Sequence, residues 1–98
     1  MKPLHFSWDP AKAEANLQKH GVSFAEAQTV FYDENAIEFY DDEHSEWEDR
    51  FLLLGISSKL RLLMICHCYR AADGEIRIIS ARKANYQEAP FYTGGQNG

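Results

Sequence analysis

The sequence predicts an α+β fold, with two N-terminal helices packed on an antiparallel sheet of about four strands and a short C-terminal segment. Three observations predict it: helix start and stop residues crowd positions 9–27, apolar runs of strand length fill residues 48–82, and Asp73-Gly74 separates the last two runs. A short first strand is expected from Leu4 to Trp8. Asp9 then offers an acceptor to the free amides of a first helical turn, Pro10 brings a preset φ to the first helical position, and Gly21 supplies a left-handed stop. The first helix therefore spans residues 10–20. Ser23 and Glu26 spell a capping box, with Val22 and Ala27 as a weak hydrophobic staple, so a second helix starts there and runs to near Phe31.

Asp33-Glu34-Asn35 reads as a turn, and Ala36 to Tyr40 as a short strand with Ile37 and Phe39 on one side. Asp41 to Trp47 is polar and loop-like. Glu48 to Ile56 passes from alternating to continuously apolar, as a strand entering a covered sheet does. After the tight Ser57-Ser58-Lys59 connection comes the longest apolar run, Leu60 to Arg70. It is broken by Arg61 and His67, which share parity and face the same way about 20 Å apart at ~3.3 Å per residue. Asp73-Gly74 marks a hairpin, and Glu75 to Arg82 returns as the third strand of an antiparallel meander. Asn85 to Ala89 is helix-compatible, but Pro90 should end any helix there, and residues 93–98 read as a disordered tail behind a single domain over 1–92. With the helices on one sheet face, the opposite face is left to the C-terminal segment and a partner.

Ninety-eight residues, 45% of them hydrophobic, suffice for one core and leave little room for a second. No run approaches the ~18 apolar residues of a membrane span, and the N-terminus lacks a signal-peptide stretch, so a cytoplasmic protein with no membrane contact is expected. Cys66 and Cys68 are too close for an ordinary disulfide and read as reduced, buried thiols. His67 between them faces the other way in a strand, so the three cannot close on one ion, and no metal or cofactor is expected. The net charge of −5 is divided into blocks: nine acids and no Lys or Arg from Asp33 to Asp49, then a net +5 from Arg50 to Lys83. A basic block of that kind suits phosphates or an acidic partner, and the acidic block suits a basic one.

The order of residues resembles the BrnT family, the toxin half of a bacterial type II toxin–antitoxin module. The resemblance rests on Trp8-Asp9 with Lys12, Asn16 and Leu17, then Lys19-His20-Gly21-Val22-Ser23-Phe24 with Glu26-Ala27. It continues through Asp42, His44-Ser45, Glu48, Arg50 and Gly55, and ends on Arg77-Ile78-Ile79-Ser80-Ala81-Arg82-Lys83-Ala84 with Glu88 and Tyr92. It implies a fold similar to RelE-type ribonucleases and a metal-independent endoribonuclease acting on RNA. It also implies neutralisation by a ribbon-helix-helix antitoxin, with operator DNA bound only through that complex. The chain departs from the family where a Lys/Arg-rich helix usually precedes Tyr92; here stand Asn85-Tyr86-Gln87 and Ala89-Pro90-Phe91. Each lost cation removes a phosphate contact, which leaves open a catalytically inactive, toxin-like module that only holds an antitoxin.

Metal-free RNA cleavage needs a base for the 2′-hydroxyl, cations for the charge developing on phosphorus, and a proton for the leaving 5′-oxygen. Arg50, Arg82 and Lys83 are the candidate catalytic cations, and His44 or Glu48 the candidate proton carriers. Lys19, His20, Arg61, His67 and Arg77 are candidate RNA-binding residues. Each also has a plainer role. Lys19 and His20 suit the negative end of the first helix, Glu48 and Arg50 can pair across i, i+2, His44 can be an Asp-paired turn residue, and His67 can be a hydrogen-bonded core histidine.

Overall fold

In a computed structural model, which describes residues 4–70 and 74–94, strand β1 (His5–Ser7) leads directly into helix α1 (Pro10–His20). Helix α1 has the bounds its caps dictate. Asp9 Oδ1 accepts from the Ala11 amide at 2.9 Å, and Gly21, at φ 69°, donates its amide to Leu17 O at 2.8 Å. Ser23 Oγ accepts from the Glu26 amide at 3.0 Å and starts helix α2 (Phe24–Thr29), which tightens into a 3₁₀ turn over Val30–Tyr32. Only half of the expected capping box forms. The Glu26 carboxylate turns inward instead, accepting from Ser57 Oγ at 2.6 Å and Arg61 Nε at 2.9 Å, because a buried acid gains more from a guanidinium than from an amide that water can reach.

Four antiparallel strands follow, β2 (Ile37–Tyr40), β3 (Phe51–Ile56), β4 (Leu62–Arg70) and β5 (Glu75–Lys83). The expected meander is therefore present, but the sheet has five strands and is mixed, because β1 pairs in parallel with β5 in the order β1-β5-β4-β3-β2. A three-residue edge strand satisfies only the start of the outer edge of β5; Asn16 of α1 takes over further along. Its side-chain amide donates to Ala81 O at 2.8 Å and Val22 O at 2.9 Å, and its oxygen accepts from Ala81 N at 3.1 Å.

The sequence also underestimates the C-terminus. Pro90 does not end a helix; it sits in the first turn of α3 (Ala89–Gly94), where its missing N–H would have had no partner. Asn85 caps the approach, its Oδ1 accepting from the Gln87 and Glu88 amides at 2.9 and 2.8 Å. The hairpin turn placed at Asp73 and the end of the proposed tail, from residue 95, lie outside the described residues.

The core fills the face of the sheet that α1 and α2 cover: Val22, Phe24, Ala27 and Val30 against Leu53, Leu63, Ile65, Ile78 and Ala81. Gly55 on that face is a close approach, since a Cβ there would meet Val30 Cγ1 at 2.8 Å and Ala36 Cβ at 2.9 Å. Segment α3 lies against the second face, with Phe91 edge-on to Phe39 at 5.9 Å and the Tyr92 hydroxyl donating to Asp33 Oδ2 at 2.7 Å. Between α3 and the β2–β3 connection part of that second face stays open.

Candidate active site

Strand parity decides which charged residues reach the open face. In β3, β4 and β5 the residues Leu52, Cys66, Ser80 and Arg82 point away from the helices, since their neighbours Leu53, Ile65 and Ala81 enter the core. The register between β4 and β5 slips at Cys66/His67, a bulge that leaves Ile79 without a partner and aims both Ile79 and Ser80 at one groove. The groove measures about 400 Å³, and its rim is completed by Asp41, Glu43, His44 and Arg50 from the β2–β3 connection and Glu88 from the segment before α3.

His44 ends a 3₁₀ turn over Asp42–His44, and its ring Nδ1 lies 3.0 and 3.2 Å from the two carboxylate oxygens of Asp41. Asp41 is buried while the His44 side chain is 59% exposed. A carboxylate at Nδ1 selects the tautomer protonated there, which leaves the Nε2 lone pair free in the uncharged ring. The Asp41 backbone is pinned in turn: its amide donates to Arg50 O at 2.8 Å and its carbonyl accepts from Ser45 Oγ at 2.6 Å. Beneath it the Cys66 thiol points to Asp41 Oδ2 at 3.8 Å. Burial, reinforced by the Asp41 charge, pushes that thiol up to about 11, so Cys66 is a neutral donor and no nucleophile.

The two arginines of the groove differ in their satisfaction. Arg50 places Nη2 at 3.5 Å from Glu48 Oε2, but its Nε is buried with no partner, alone in this among the side-chain atoms of the described residues. An orphaned buried N–H costs about 1–3 kcal/mol. Arg82 is fully engaged at its outer end, donating from Nη1 and Nη2 to the two oxygens of Glu88 at 2.8 and 2.7 Å. That hydrogen bonding raises the Arg82 pKa and holds the Glu88 carboxyl below its usual range, so both stay ionised at neutral pH.

The remaining candidates fall elsewhere. Lys83 follows Arg82 in β5 and therefore points to the helix-bearing side, so the two do not share a phosphate. Arg61 is a structural tie: its Nη2 donates to Glu26 Oε1 and to Gly21 O (3.1 Å), joining the β3–β4 turn to the ends of both helices. His67 is fully buried, with Nε2 at 2.9 Å from Glu38 Oε2, Nδ1 at 3.2 Å from Ile65 O, and the rings of Phe31 and Phe51 against it. That is the core-histidine role, out of reach of a polymer. Glu48 sits outside the groove beside Arg50, Arg77 faces the same side opposite Cys68, and Lys19 and His20 close α1 across the sheet. In the sequence Glu88 stands only as part of the family resemblance, with no role in the site, and Asp41 only as one of an acidic block; the Asp-x-x-His spacing is the available signal for the second.

Residues 8–88 match the family model described as ribonuclease toxin, BrnT, of type II toxin–antitoxin system. The fold is similar to the crystal structure of the Brucella abortus ribonuclease toxin BrnT, with a TM-score of 0.65 and 22% identity over 85% of this chain and 99% of that one. No curated protein sequence matches the chain.

Proposed function

The chain belongs to the BrnT family of ribonuclease toxins of type II toxin–antitoxin systems, and from that premise we propose that it is an endoribonuclease that cuts RNA without a metal in the groove between the β2–β3 connection and the segment before α3. One observation carries the reading: a carboxylate-buttressed histidine and two arginines line a single cleft of about 400 Å³. His44 is the general base. Its Nε2 takes the proton of a 2′-hydroxyl, the 2′-oxygen bonds to phosphorus, and the bond to the 5′-oxygen breaks, leaving a 2′,3′-cyclic phosphate. Arg50 and Arg82 stabilise the additional charge on the phosphoryl oxygens, and the departing 5′-oxygen collects a proton from water. Asp41 is a positioning residue that acts through His44. A cognate antitoxin is implied by the family; we take it to be a ribbon-helix-helix protein through which operator DNA is bound.

A second reading, a toxin-like module that binds its antitoxin without cutting RNA, draws on the absence of Lys and Arg from residues 84–98. Expression without the antitoxin separates them. Under the ribonuclease reading growth stops and transcripts shorten, His44→Gln lowers cleavage by about 10²–10⁴, and Arg82→Ala abolishes it with the fold retained. Intact transcripts from the wild-type protein, with the antitoxin complex still forming, would establish the binding module instead.

A further inference from the structure

A phosphodiester drawn to this groove meets three carboxylates, Asp41, Glu43 and Glu88, against two guanidiniums, Arg50 and Arg82. The carboxylates outnumber the guanidiniums, so an anion is opposed unless an acid withdraws. Asp41 is committed to His44 and buried. Glu88 is placed differently. Its carboxylate lies across the end of the Arg82 guanidinium with one oxygen on each terminal nitrogen, the two-pronged geometry in which arginine takes a phosphate.

Resting on the ribonuclease reading, we propose that the Nη1–Nη2 end of Arg82 is the phosphate-binding fork of the groove, that Glu88 is its built-in occupant, and that an RNA phosphate binds by displacing it. The exchange keeps Arg82 paired throughout. It is accessible, because the Arg82 and Glu88 side chains are 40% and 21% exposed. Displacement gives up the contact of Glu88 Oε1 with the Asn85 amide at 3.0 Å as well as the two to Arg82, and it is a side-chain rotation, because the Glu88 backbone amide stays with Asn85 Oδ1 and α3 with Phe91 and Tyr92. Since Glu88 stays ionised at neutral pH, the contact opens to a competing anion and not to protonation. A ribonuclease whose fork is filled by its own carboxylate is held at low affinity for short or weakly bound RNA.

The test is the affinity of an uncleavable 2′-O-methyl RNA oligonucleotide, read by fluorescence anisotropy at fixed salt. Glu88→Gln, which keeps the shape and loses the charge, tightens binding about tenfold, the difference between a charged and a neutral hydrogen-bond pair. Glu14→Gln, an equal change of charge on exposed α1, tightens it by less than about twofold. In an Arg82→Gln background the gain from Glu88→Gln disappears. Unchanged or weaker binding by Glu88→Gln overturns the proposal and makes Glu88 a positioning residue for Arg82; an equal gain without Arg82 overturns it as a bulk charge effect. The wild-type protein supplies a check that depends on no variant: the Glu88 carboxylate ¹³C resonance shifts on saturation with the oligonucleotide, and one that stays fixed overturns displacement. If neither wild type nor Glu88→Gln binds, the ribonuclease reading of the groove falls and the proposal with it.

Discussion

Asn16, the one residue that α1 buries, works as a piece of sheet, pairing with the amide and carbonyl of Ala81 where β1 has run out. Asn16→Ala strands one buried donor, Ala81 N, and two acceptors, Ala81 O and Val22 O, so thermal or urea unfolding should show a loss of about 2–4 kcal/mol; a loss under ~1 kcal/mol would mean that water replaces the side chain. In the proposed reaction Asp41 is the corresponding residue for chemistry. Asp41→Asn keeps the shape but removes the charge that holds Nδ1–H, so kcat falls by about 10²-fold or more with KM little changed, and the pH profile of cleavage moves. A change confined to melting temperature would make Asp41 structural. At this scale the sequence announced residue types and not their company. His44 and Arg50 were legible, whereas the separation of Arg82 from Lys83 needed the strand register, and the burial of His67 needed the rings of Phe31 and Phe51 around it.

Among elements, those with explicit punctuation were read to the residue and those whose fate depends on distant partners were not. Helix α1 carries its own caps, so Pro10–His20 follows from local chemistry. The side chain of Glu26 was drawn from a capping box by Arg61, 35 residues away, and β1, expected as a short strand, pairs in parallel with the edge of β5, which nothing local announces. The 66/67 bulge has no local signature, yet it brings Ile79 and Ser80 into the groove. Strand β3 passes the 3₁₀ turn at contact distance at Gly55, so Gly55→Ala forces Val30 and Ala36 apart. The expected destabilisation is about 1–3 kcal/mol by urea titration, with m unchanged; a neutral substitution would show that the turn shifts freely.

For the molecule as a whole, separation of charge organises both stability and function. The Glu26 and Glu88 carboxyls are held low chiefly by hydrogen bonds from Arg61 and Arg82, so the stability they confer is present above about pH 4.5 and is lost as pH falls through their depressed folded values. The alkaline limb has the opposite sign. Cys66 titrates at about 11 in the fold against 9.0 when exposed, so the folded state keeps its proton longer. Roughly 3 kcal/mol therefore drains between pH 9 and 11, and the Tyr69 and Tyr92 phenols, raised by burial and by Glu38 and Asp33, add in the same direction. Cys66→Ser should flatten that limb in pH-dependent urea melts; an unchanged slope would remove the thiol from it. In the proposed function two arginines and a carboxylate-held histidine on the open sheet face cut RNA unaided by metal. The most direct measurement is the chemistry of the new ends when the purified protein meets RNA in excess EDTA. Cleavage yielding 2′,3′-cyclic phosphate and 5′-hydroxyl ends is the predicted result, and cleavage that requires magnesium or leaves 5′-phosphate ends would contradict it.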